Sequence, residues 1–460
     1  MPGKYKAYQV YKNSESPWLG DVPKDWDLIP LKYLSQFSGG GTPSKDNPEY
    51  WNGDIPWVSP KDMKTFRIVS TIDNITEKAI KQSSTNILKK GALLVVVRSG
   101  ILQHSIPVAI NDVPVTLNQD MKAIQFNNKL NVNYAMYLVV GSQAALLLEW
   151  RKQGATVESI EQEYLANTIF PVPSLNEQDK ITKFLDHETT KIDHLIQQQQ
   201  QLIQLLKEKR QAVISNAVTK GLNPKVKMRN SGVEWLGVVP EGWLVTRAKF
   251  LFDFVTSGSR GWADFYSDEG SLFFRITNLT RDTIEPKMES TQYVTQPSGS
   301  EGERSKIHKN DLLISITADL GSVCVASDEV AGGYVSQHIA LCRPNANIAS
   351  SRWFGYFILS DIAKEQFIGS AYGGTKIQLS LEDIRELWVV KPTSEEQVKI
   401  ALYIDTQLDK FSNIILLAED QISLLQERRT ALISAAVTGK IDVRDWSPRQ
   451  ETLTNMEVTA

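Results

Sequence analysis

The sequence of 460 residues predicts an α+β protein with an internal repeat, in which two similar globular domains alternate with two long helices. The first observation is a duplicated segment: LLKEKRQAVISNAVTKG at 205–221 returns as LLQERRTALISAAVTGK at 424–440, about 219 positions later. The second is a tryptophan motif, SPWLGDVPKDW at 16–26, which matches VEWLGVVPEGW at 233–243. The two offsets are nearly equal, so the domains between the motifs have similar lengths and a pseudo-two-fold arrangement is expected.

The repeat divides the chain into seven segments. The expected boundaries are an N-terminal arm at 1–15, a first globular domain at 16–173, a first long helix at 174–222, a linker at 223–231, a second globular domain at 232–392, a second long helix at 393–440 and a tail at 441–460. Each globular domain has an ordinary size. We expect the tryptophans of the duplicated motif to hold it onto its domain through burial of their large apolar rings.

Short apolar runs bounded by Gly, Pro or Asn predict strands in both globular domains. In the first domain these runs are 55–59, 92–97, 107–110 and 122–126, and in the second they are 271–277, 311–317, 322–326 and 334–343. Helical stretches at 134–150 and 351–367 are interleaved with them. This mixture predicts α+β domains.

Each long helix is expected to begin at a capping box of the S/T-x-x-E type, Ser174/Glu177 in the first copy and Thr393/Glu396 in the second. Each then continues for about 40 residues, or ~60–65 Å. An apolar seam with spacings of 3 and 4 predicts a coiled coil. The seam residues are Leu185, Ile192, Leu195, Leu202, Leu206 and Val213, then Ile404, Phe411, Ile414, Leu425 and Leu432. Such single-stripe helices need a partner, and the other copy in antiparallel orientation is the expected one.

Composition and motifs argue against an enzyme. The sequence has no phosphate-binding G-x-x-x-x-G-K-[ST] loop, and its five histidines and two cysteines do not have zinc-site spacing. No signal peptide and no apolar run of ~20 residues is found, so a cytoplasmic location is expected. The net charge is −3, so a nucleic-acid-binding role requires positive charge gathered on one face or supplied partly by partner subunits.

Polar, glycine-rich loops lie at matching places in the two halves. They are SGGGTPSK at 38–45 and SGSRGW at 257–262, NQD at 118–120 and SQH at 336–338, and GAT at 154–156 and GGT at 373–375. Glycine lets backbone N–H groups approach phosphates, and polar side chains can read base edges. Ordinary turns are the alternative. Equivalent loops with different polar residues favour the reading of two different short DNA sequences.

The candidate DNA-contacting residues come from these loops and from basic residues near them. They are Gly40, Thr42, Ser44, Lys45, Lys61, Arg98, Asn118 and Gln119 in the first half, and Ser257, Ser259, Arg260, Arg275, Asn278, Gln337, His338, Thr375 and Lys376 in the second.

The segments SGVEWLGVVPEGW, GGGTPSK, GGTKIQLS, PTSEEQVKIALYID and RRTALISAAVTGKID resemble the specificity subunits of type I restriction–modification systems. The resemblance extends from about residue 16 to residue 445, although the first half has GAT where the second has GGT. It implies that the globular domains are target recognition domains and that the helices are spacers. It further implies that the chain reads a bipartite, asymmetric double-stranded DNA target.

The resemblance also implies partners. Two modification subunits would methylate adenine N6 with S-adenosylmethionine, and restriction subunits would use ATP and Mg²⁺, whereas this chain would be non-catalytic and carry no cofactor. The charged faces of the duplicated helix segment, with Glu208, Arg210, Glu427 and Arg429, are the expected docking surface. A duplicated coiled-coil scaffold that does not read DNA is the main alternative. A self-sufficient nuclease or methyltransferase is a second one, for which no motif is present.

Overall fold

The computed structural model describes residues 5–152, 157–295, 300–370 and 378–448. The chain forms two compact units, each containing one globular domain. Unit 1 is Met1–Gln199 with Asp420–Ala460, and unit 2 is Gln200–Glu419. The boundaries therefore fall inside both long helices, so each unit consists of one globular domain, the start of one long helix and the end of the other.

Among its described residues, unit 1 has twelve short strands and four short helices besides its share of the long helices. The strands are β1 (Tyr11–Asn13), β2 (Asp21–Pro23), β3 (Asp27–Pro30), β4 (Ser35–Gly39), β5 (Trp51–Val58), β6 (Arg67–Ile68), β7 (Asp73–Ile75), β8 (Leu93–Val96), β9 (Val108–Asn111), β10 (Thr116–Leu117), β11 (Met121–Phe126) and β12 (Ile169–Val172). The helices are α1 (Glu77–Gln82), α2 (Val132–Gly141), α3 (Gln143–Trp150), α4 (Gln162–Asn167) and the long α5 (Leu175–Lys220) that leads into unit 2.

Unit 2 repeats this plan. Its strands are β13 (Met228–Asn230), β14 (Val238–Pro240), β15 (Leu244–Arg247), β16 (Phe252–Ser257), β17 (Tyr266–Ser267), β18 (Ser271–Phe274), β19 (Tyr293–Val294), β20 (Leu312–Ser315), β21 (Val323–Val325), β22 (Tyr334–Val335), β23 (Ile339–Pro344) and β24 (Trp388–Lys391). Its helices are α6 (Ser300–Ser305), α7 (Ser351–Leu359), α8 (Asp361–Ser370), α9 (Leu381–Arg385) and the long α10 (Ser394–Val437) that returns to unit 1.

The sheets of the two units have matching strand orders, which confirms the internal repeat. The order β4-β11-β8-β9 in unit 1 corresponds to β16-β23-β20-β21 in unit 2, and the pairs β1-β2 and β3-β12 correspond to β13-β14 and β15-β24. A parallel pair, β5-β10, corresponds to the parallel pair β18-β22. The prediction of two similar α+β domains is therefore confirmed.

The central strands are buried on both faces. In β8, Leu93 and Val95 pack in one core cluster with the helices, while Leu94 and Val96 pack in another. Successive side chains of a strand point to opposite faces, so burial on both sides requires a continuous apolar run. This explains why the run at 92–97 predicted a strand without an alternating pattern.

The two predicted helical stretches in the globular domains are each interrupted by a serine. The stretch 134–150 is divided at Ser142 into α2 and α3, and the stretch 351–367 is divided at Ser360 into α7 and α8. Ser360 has an extended ψ of 155°, and its hydroxyl donates to the Phe357 carbonyl at 2.6 Å. The serine side chain therefore competes for the backbone and ends one helix where the next begins.

The long helices α5 and α10 have 46 and 44 residues, as the seam predicted. Within unit 1 they run antiparallel, because Arg429 of α10 pairs with Asp193 of α5 at 2.9 Å, whereas Trp446, beyond the end of α10, packs on Phe184, nearer the start of α5. Within unit 2 the end of α5 and the start of α10 share one core cluster.

Eight of the eleven predicted seam residues are buried or partly buried, but three are exposed. Leu195 is 44% exposed, Leu202 is 38% exposed and Ile414 is 41% exposed, so their assignment to the seam was wrong. In α5 the neighbouring Ile196 packs on the core instead. An α-helix has 3.6 residues per turn, so a seam drawn with a 3.5-residue repeat drifts around the surface and points to a neighbouring position.

The second tryptophan of each duplicated motif is joined to the cap of a long helix. Trp26 Nε1 donates to Glu177 Oε1 at 3.0 Å, and Trp243 Nε1 donates to Glu396 Oε2 at 3.2 Å. The rings are 1% and 4% exposed, so the prediction of buried anchors is confirmed for this tryptophan of each motif. It was wrong for Trp235, the first tryptophan of the second motif, which is 44% exposed.

The capping boxes differ between the two helices. At the second helix Thr393 and Glu396 bond reciprocally, as predicted. At the first helix the Ser174 hydroxyl accepts from the Glu177 N–H at 3.3 Å, but the Glu177 carboxylate binds Tyr8 and Trp26 instead of reaching back. That half of the predicted capping box was wrong, because Tyr8 of the N-terminal arm supplies a competing donor.

A buried glutamine lies just after each cap and was not predicted. Gln178 donates to the carbonyls of Lys129 and Pro173, and its Oε1 accepts from the Asn131 N–H at 2.8 Å. Gln397 makes the equivalent bonds in unit 2, including one from the Ala349 N–H to its Oε1 at 2.8 Å. These amides fix each globular domain to the start of its long helix.

Among the described residues no helix is long and apolar enough to cross a membrane. Over the same residues no group of three or more His, Cys, Asp and Glu side chains is placed to hold a metal ion.

Candidate functional site

A parallel strand pair in each unit brings distant polar segments to one edge. In unit 1, β5 and β10 are parallel, so Ser59 after β5 and Asn118 after β10 meet; the Asn118 N–H donates to the Val58 carbonyl at 2.9 Å. In unit 2, the Ser336 N–H after β22 donates to the Phe274 carbonyl, also at 2.9 Å. The two segments that carry most of the predicted site residues are therefore adjacent in each unit.

The glycine loops pack directly onto these edges. A Cβ at Gly40 would lie 2.0 Å from the Asn118 carbonyl oxygen, and a Cβ at Gly258 would lie 1.9 Å from the Val335 carbonyl oxygen. Only glycine permits this approach of two backbones. The Gly41 N–H also donates to the Leu117 carbonyl at 2.8 Å.

Two tryptophan side chains donate hydrogen bonds to the glycine loop of unit 1, residues 38–45. Trp57 Nε1 donates to the Gly41 carbonyl at 3.0 Å, and Trp51 Nε1 donates to the Ser44 carbonyl at 3.1 Å. The two rings meet edge to face, with centroids 5.1 Å apart. Indole N–H groups bound to loop carbonyls restrict the loop to one conformation, which is the preorganisation that a recognition surface needs.

The edge of unit 1 lines a cavity of about 570 Å³. Five predicted site residues lie in its wall, namely Thr42, Lys45, Lys61, Asn118 and Gln119. Asp73 and Asp120 add two carboxylates that were not among the candidate residues. The cavity therefore offers hydrogen-bond acceptors together with two flexible ammonium groups.

The edge of unit 2 lines a cavity of about 270 Å³. Four predicted site residues lie in its wall, namely Ser259, Arg275, Gln337 and His338. Its apolar wall includes Trp262 stacked on Phe273, with centroids 5.4 Å apart and ring planes 15° apart. The two cavities thus occupy equivalent places in the repeat and present different chemistry.

Other predicted site residues do not line either cavity. Gly40 lies beneath the first, and the remainder of this group, Ser44, Arg98, Ser257 and Arg260, lies outside both linings, with Ser257 half-buried at the end of β16 and the other three exposed. Thr375, Lys376 and the loop residues Gly154, Ala155 and Thr156 fall outside the described residues.

The buried side chain of Asn278 corrects one of the site predictions. Its side chain has no exposed surface, its Oδ1 accepts from the Arg275 N–H at 2.9 Å, and its Nδ2 donates to the Lys287 and Ser290 carbonyls. An amide committed in this way supports the loop and is not available to a ligand. The prediction that it contacts DNA was wrong because the sequence does not show which polar loop residues turn inward.

The structure also adds residues that were absent from the candidate DNA-contacting residues, although Asp120, Trp262 and Ser336 lie in the polar loops that the sequence singled out. The added residues are Trp51, Trp57, Ser59, Asp73 and Asp120 around the first cavity, and Trp262, Tyr266, Phe273, Thr277 and Ser336 around the second. Ser59 and Ser336 directly follow a short apolar strand, and this position was the available signal in the sequence. Using that signal would have required knowing which strands pair in parallel.

Among the four predicted partner-binding residues, the glutamates are exposed and the arginines are partly buried. Glu208 and Glu427 are exposed, and Gln204 donates to Glu208 at 2.8 Å. Arg429 instead pairs with Asp193 and lies over the Phe66 ring. Burial lowers the pKa of the half-buried Arg210. The glutamates thus remain open to a partner, and Arg429 is engaged within unit 1, whereas the buried Nε of Arg210 has no hydrogen-bond partner among the described residues.

Comparison with known proteins gives the family. A model described as the type I restriction modification DNA specificity domain matches residues 23–205 and 283–424, which together are more than half of the chain. The chain belongs to this family. The resemblance proposed from the sequence is therefore confirmed.

Among similar proteins, the EcoR124I/EcoR124II specificity subunit of Escherichia coli is 35% identical over 232 residues. That match spans 50% of this chain and about half, 51%, of the relative. The MjaIX specificity subunit of Methanocaldococcus jannaschii is 24% identical over 446 residues, which cover 96% of this chain and 99% of the relative.

Solved structures show the same fold. A chain from a study of complex assembly and conformational transition in the type I R-M system has a TM-score of 0.70 and 15% identity, covering 91% of this specificity-family chain and 99% of its own. The HsdS subunit from Thermoanaerobacter tengcongensis has a TM-score of 0.52 and 16% identity, covering 91% and 98%. The architecture predicted from the repeat is confirmed by these neighbours.

Proposed function

We propose that this chain is the DNA-recognition subunit of a type I restriction–modification complex and that it reads a bipartite, asymmetric target, one half-site with each unit. The observation that carries the proposal is the pair of equivalent cavities with different linings. A repeated scaffold that reads one sequence twice would keep the same side chains at both edges. This chain keeps the scaffold and changes the side chains.

Charge on the cavity rims supports a role at DNA. Lys45 and Lys61 line the first cavity, and Arg260 is exposed beside the second. Phosphate contacts from such groups position a protein on the duplex, and contacts to base edges add specificity. A net charge of −3 is compatible with this role when modification subunits supply further phosphate contacts.

The chemistry is proposed to reside on the partners. Two methyltransferase subunits would bind S-adenosylmethionine and methylate adenine, and restriction subunits would use ATP and Mg²⁺ to cleave unmodified DNA. This chain would supply the sequence specificity and would set the spacing between the half-sites, with the long helices as the spacer. Exposed Glu208 and Glu427, at equivalent places in the duplicated segment, are the proposed partner contacts.

The test is DNA selection with the chain co-expressed with its modification subunits. The complex should enrich two short sequences at a fixed spacing from a random duplex library, and binding should weaken steeply with salt. Replacing Gln119 by alanine should alter one half-site, and replacing Gln337 by alanine should alter only the other. Binding without sequence preference, or no binding, would refute the proposal.

A duplicated coiled-coil scaffold without DNA reading is the second candidate. It would explain the long helices and the exposed glutamates, but it gives no reason for two glycine loops to approach the backbone so closely beside polar cavities. Under that alternative, the cavity variants would leave every activity of the assembled complex unchanged.

A further inference from the structure

Three side chains that line the unit 2 cavity each have a buried polar atom with no hydrogen-bond partner among the described residues. These atoms are Arg275 Nε, Ser336 Oγ and Gln337 Oε1. Unpartnered buried polar groups are costly to a fold. Three of them belong to side chains that line one cavity, which points to a ligand that pairs with them when those side chains turn toward it.

The equivalent groups of unit 1 are satisfied internally. Ser59 occupies the place of Arg275, and its hydroxyl donates to Asp62 at 2.8 Å. Gln119 occupies the place of Gln337, and its Oε1 accepts from the Thr42 hydroxyl. Unmet hydrogen-bonding capacity is therefore a property of the second cavity and does not come from the repeated scaffold.

The second cavity combines a donor fork with an acceptor. A guanidinium presents parallel N–H groups that match two adjacent acceptors. In the major groove guanine offers N7 and O6 as such a pair, and the cytosine of the same base pair offers its N4 amino group as a donor. Arg275 supplies the donors, and Gln337 Oε1 supplies an acceptor for the amino group.

Neighbouring contacts orient Gln337. Its Nε2 lies 3.1 Å from His338 Nε2, and His338 Nδ1 lies 3.1 Å from the Thr317 hydroxyl. With the amide nitrogen held by the imidazole, the amide oxygen is left for a ligand. The stacked rings of Trp262 and Phe273 form a firm wall beside Arg275.

We propose that the unit 2 cavity recognises a G·C base pair from the major groove, with Arg275 donating to guanine N7 and O6 and Gln337 accepting from cytosine N4. This inference rests on the proposed function and assigns a base class to one half-site. An A·T pair fits less well, because adenine presents one acceptor beside a donor and leaves half of the guanidinium fork unpaired.

The experiment uses the full chain assembled with its modification subunits. The wild-type complex is first used to select its target from a random duplex library, and one half-site is expected to contain a required guanine. Arg275→Ala and Arg275→Lys should each relax the preference at that guanine, by about 5- to 140-fold in relative affinity. Lysine keeps the charge but loses the fork, so rescue by lysine would contradict the base contact.

A chemical probe separates base reading from a phosphate contact. Substituting 7-deazaguanine at the required position removes N7; it should weaken wild-type binding and have little effect on Arg275→Ala. The matched control is Arg281→Ala, an exposed arginine of unit 2 that lies outside the cavity lining, which should leave both half-site sequences unchanged. Recognition of the other half-site by Arg275→Ala, together with its thermal midpoint, reports that the variant is folded.

The outcomes distinguish the two proposals. If the wild-type complex selects no sequence, the proposed function itself fails. If it selects a bipartite target but Arg275→Ala weakens all sequences equally with a smaller salt dependence, Arg275 contacts a phosphate and the base assignment is overturned. Relaxation at an A·T position overturns it equally.

Discussion

The close packing of the Gly40 loop against the end of β10 makes Gly40→Ala a sharp test of how unit 1 presents its cavity. A methyl group at this position would lie 2.0 Å from the Asn118 carbonyl oxygen and 2.4 Å from that of Leu117. Non-bonded atoms of this kind require roughly 3 Å or more, so the loop must retreat by about 1 Å. Forced overpacking of this kind costs about 1–3 kcal/mol.

The displacement should reach the cavity, because Thr42 and Lys45 come next on the same loop and line its wall. A lost base contact is worth about 1–3 kcal/mol, or about 5- to 140-fold in affinity. We expect Gly40→Ala to lower the thermal midpoint by about 2–12 °C. We also expect it to weaken discrimination at the half-site read by unit 1, with the other half-site unaffected.

The matched control is Gly39→Ala, where a methyl group would meet no atom within 4 Å. Thermal unfolding and library selection with the assembled complex measure both effects. The reasoning is refuted if Gly40→Ala and Gly39→Ala have the same melting midpoint and the same half-site preference.

The fold makes three further predictions. Gln397→Ala removes the hydrogen-bond partners of buried backbone groups, so it should lower the free energy of unfolding by at least about 2 kcal/mol in denaturant titration. The control Gln421→Ala, at an exposed position of the same helix, should cost under ~0.5 kcal/mol. Equal values for the two variants would contradict the anchoring role. Inserting four residues after Gln200 lengthens α5 by ~6 Å and rotates the C-terminal part of the helix, so methylation mapping should show a changed spacing between unchanged half-sites or no modification, and altered half-site bases would refute the spacer role. Burial raises the pKa of Cys324 and Cys342, so the nucleophilic thiolate is withheld at neutral pH; Ellman's reagent should detect no thiol in the native chain and both after denaturation, and a native thiol signal would contradict the buried placement.

Most of the fold could be predicted from the local periodicity of apolar residues in the sequence. The run at 92–97 and the seam from Leu185 onward gave strands and helices because their patterns depend only on neighbouring residues. The misassigned Leu195 shows the limit of that method, because a small error in period accumulates along a helix of 46 residues. The N-terminal arm shows another limit, since its Tyr8 takes the Glu177 carboxylate away from the cap.

The candidate site was predictable where polar loops repeat at matching places. Thr42, Asn118 and Gln337 were found in this way, and the structure places them in cavity walls. Asp73 was missed because it reaches the cavity through the pairing of β7 with β5, which no local pattern specifies. The inward turn of Asn278 was missed for the same reason, since its partners lie nine and twelve residues away in an irregular loop.

The way each unit is completed affects how the chain folds during synthesis. The core of unit 1 includes Leu432, Ile433 and Val437 of α10 beside Tyr134 and Leu138 of α2. A ribosome adds about 5–20 residues per second, so roughly 10–45 s separate the synthesis of Gln199 from that of Asp420. Throughout that interval the first domain exists without the helix end that covers part of its apolar surface. The nascent chain therefore has a long window of aggregation risk, which closes only when the end of α10 has left the ribosome.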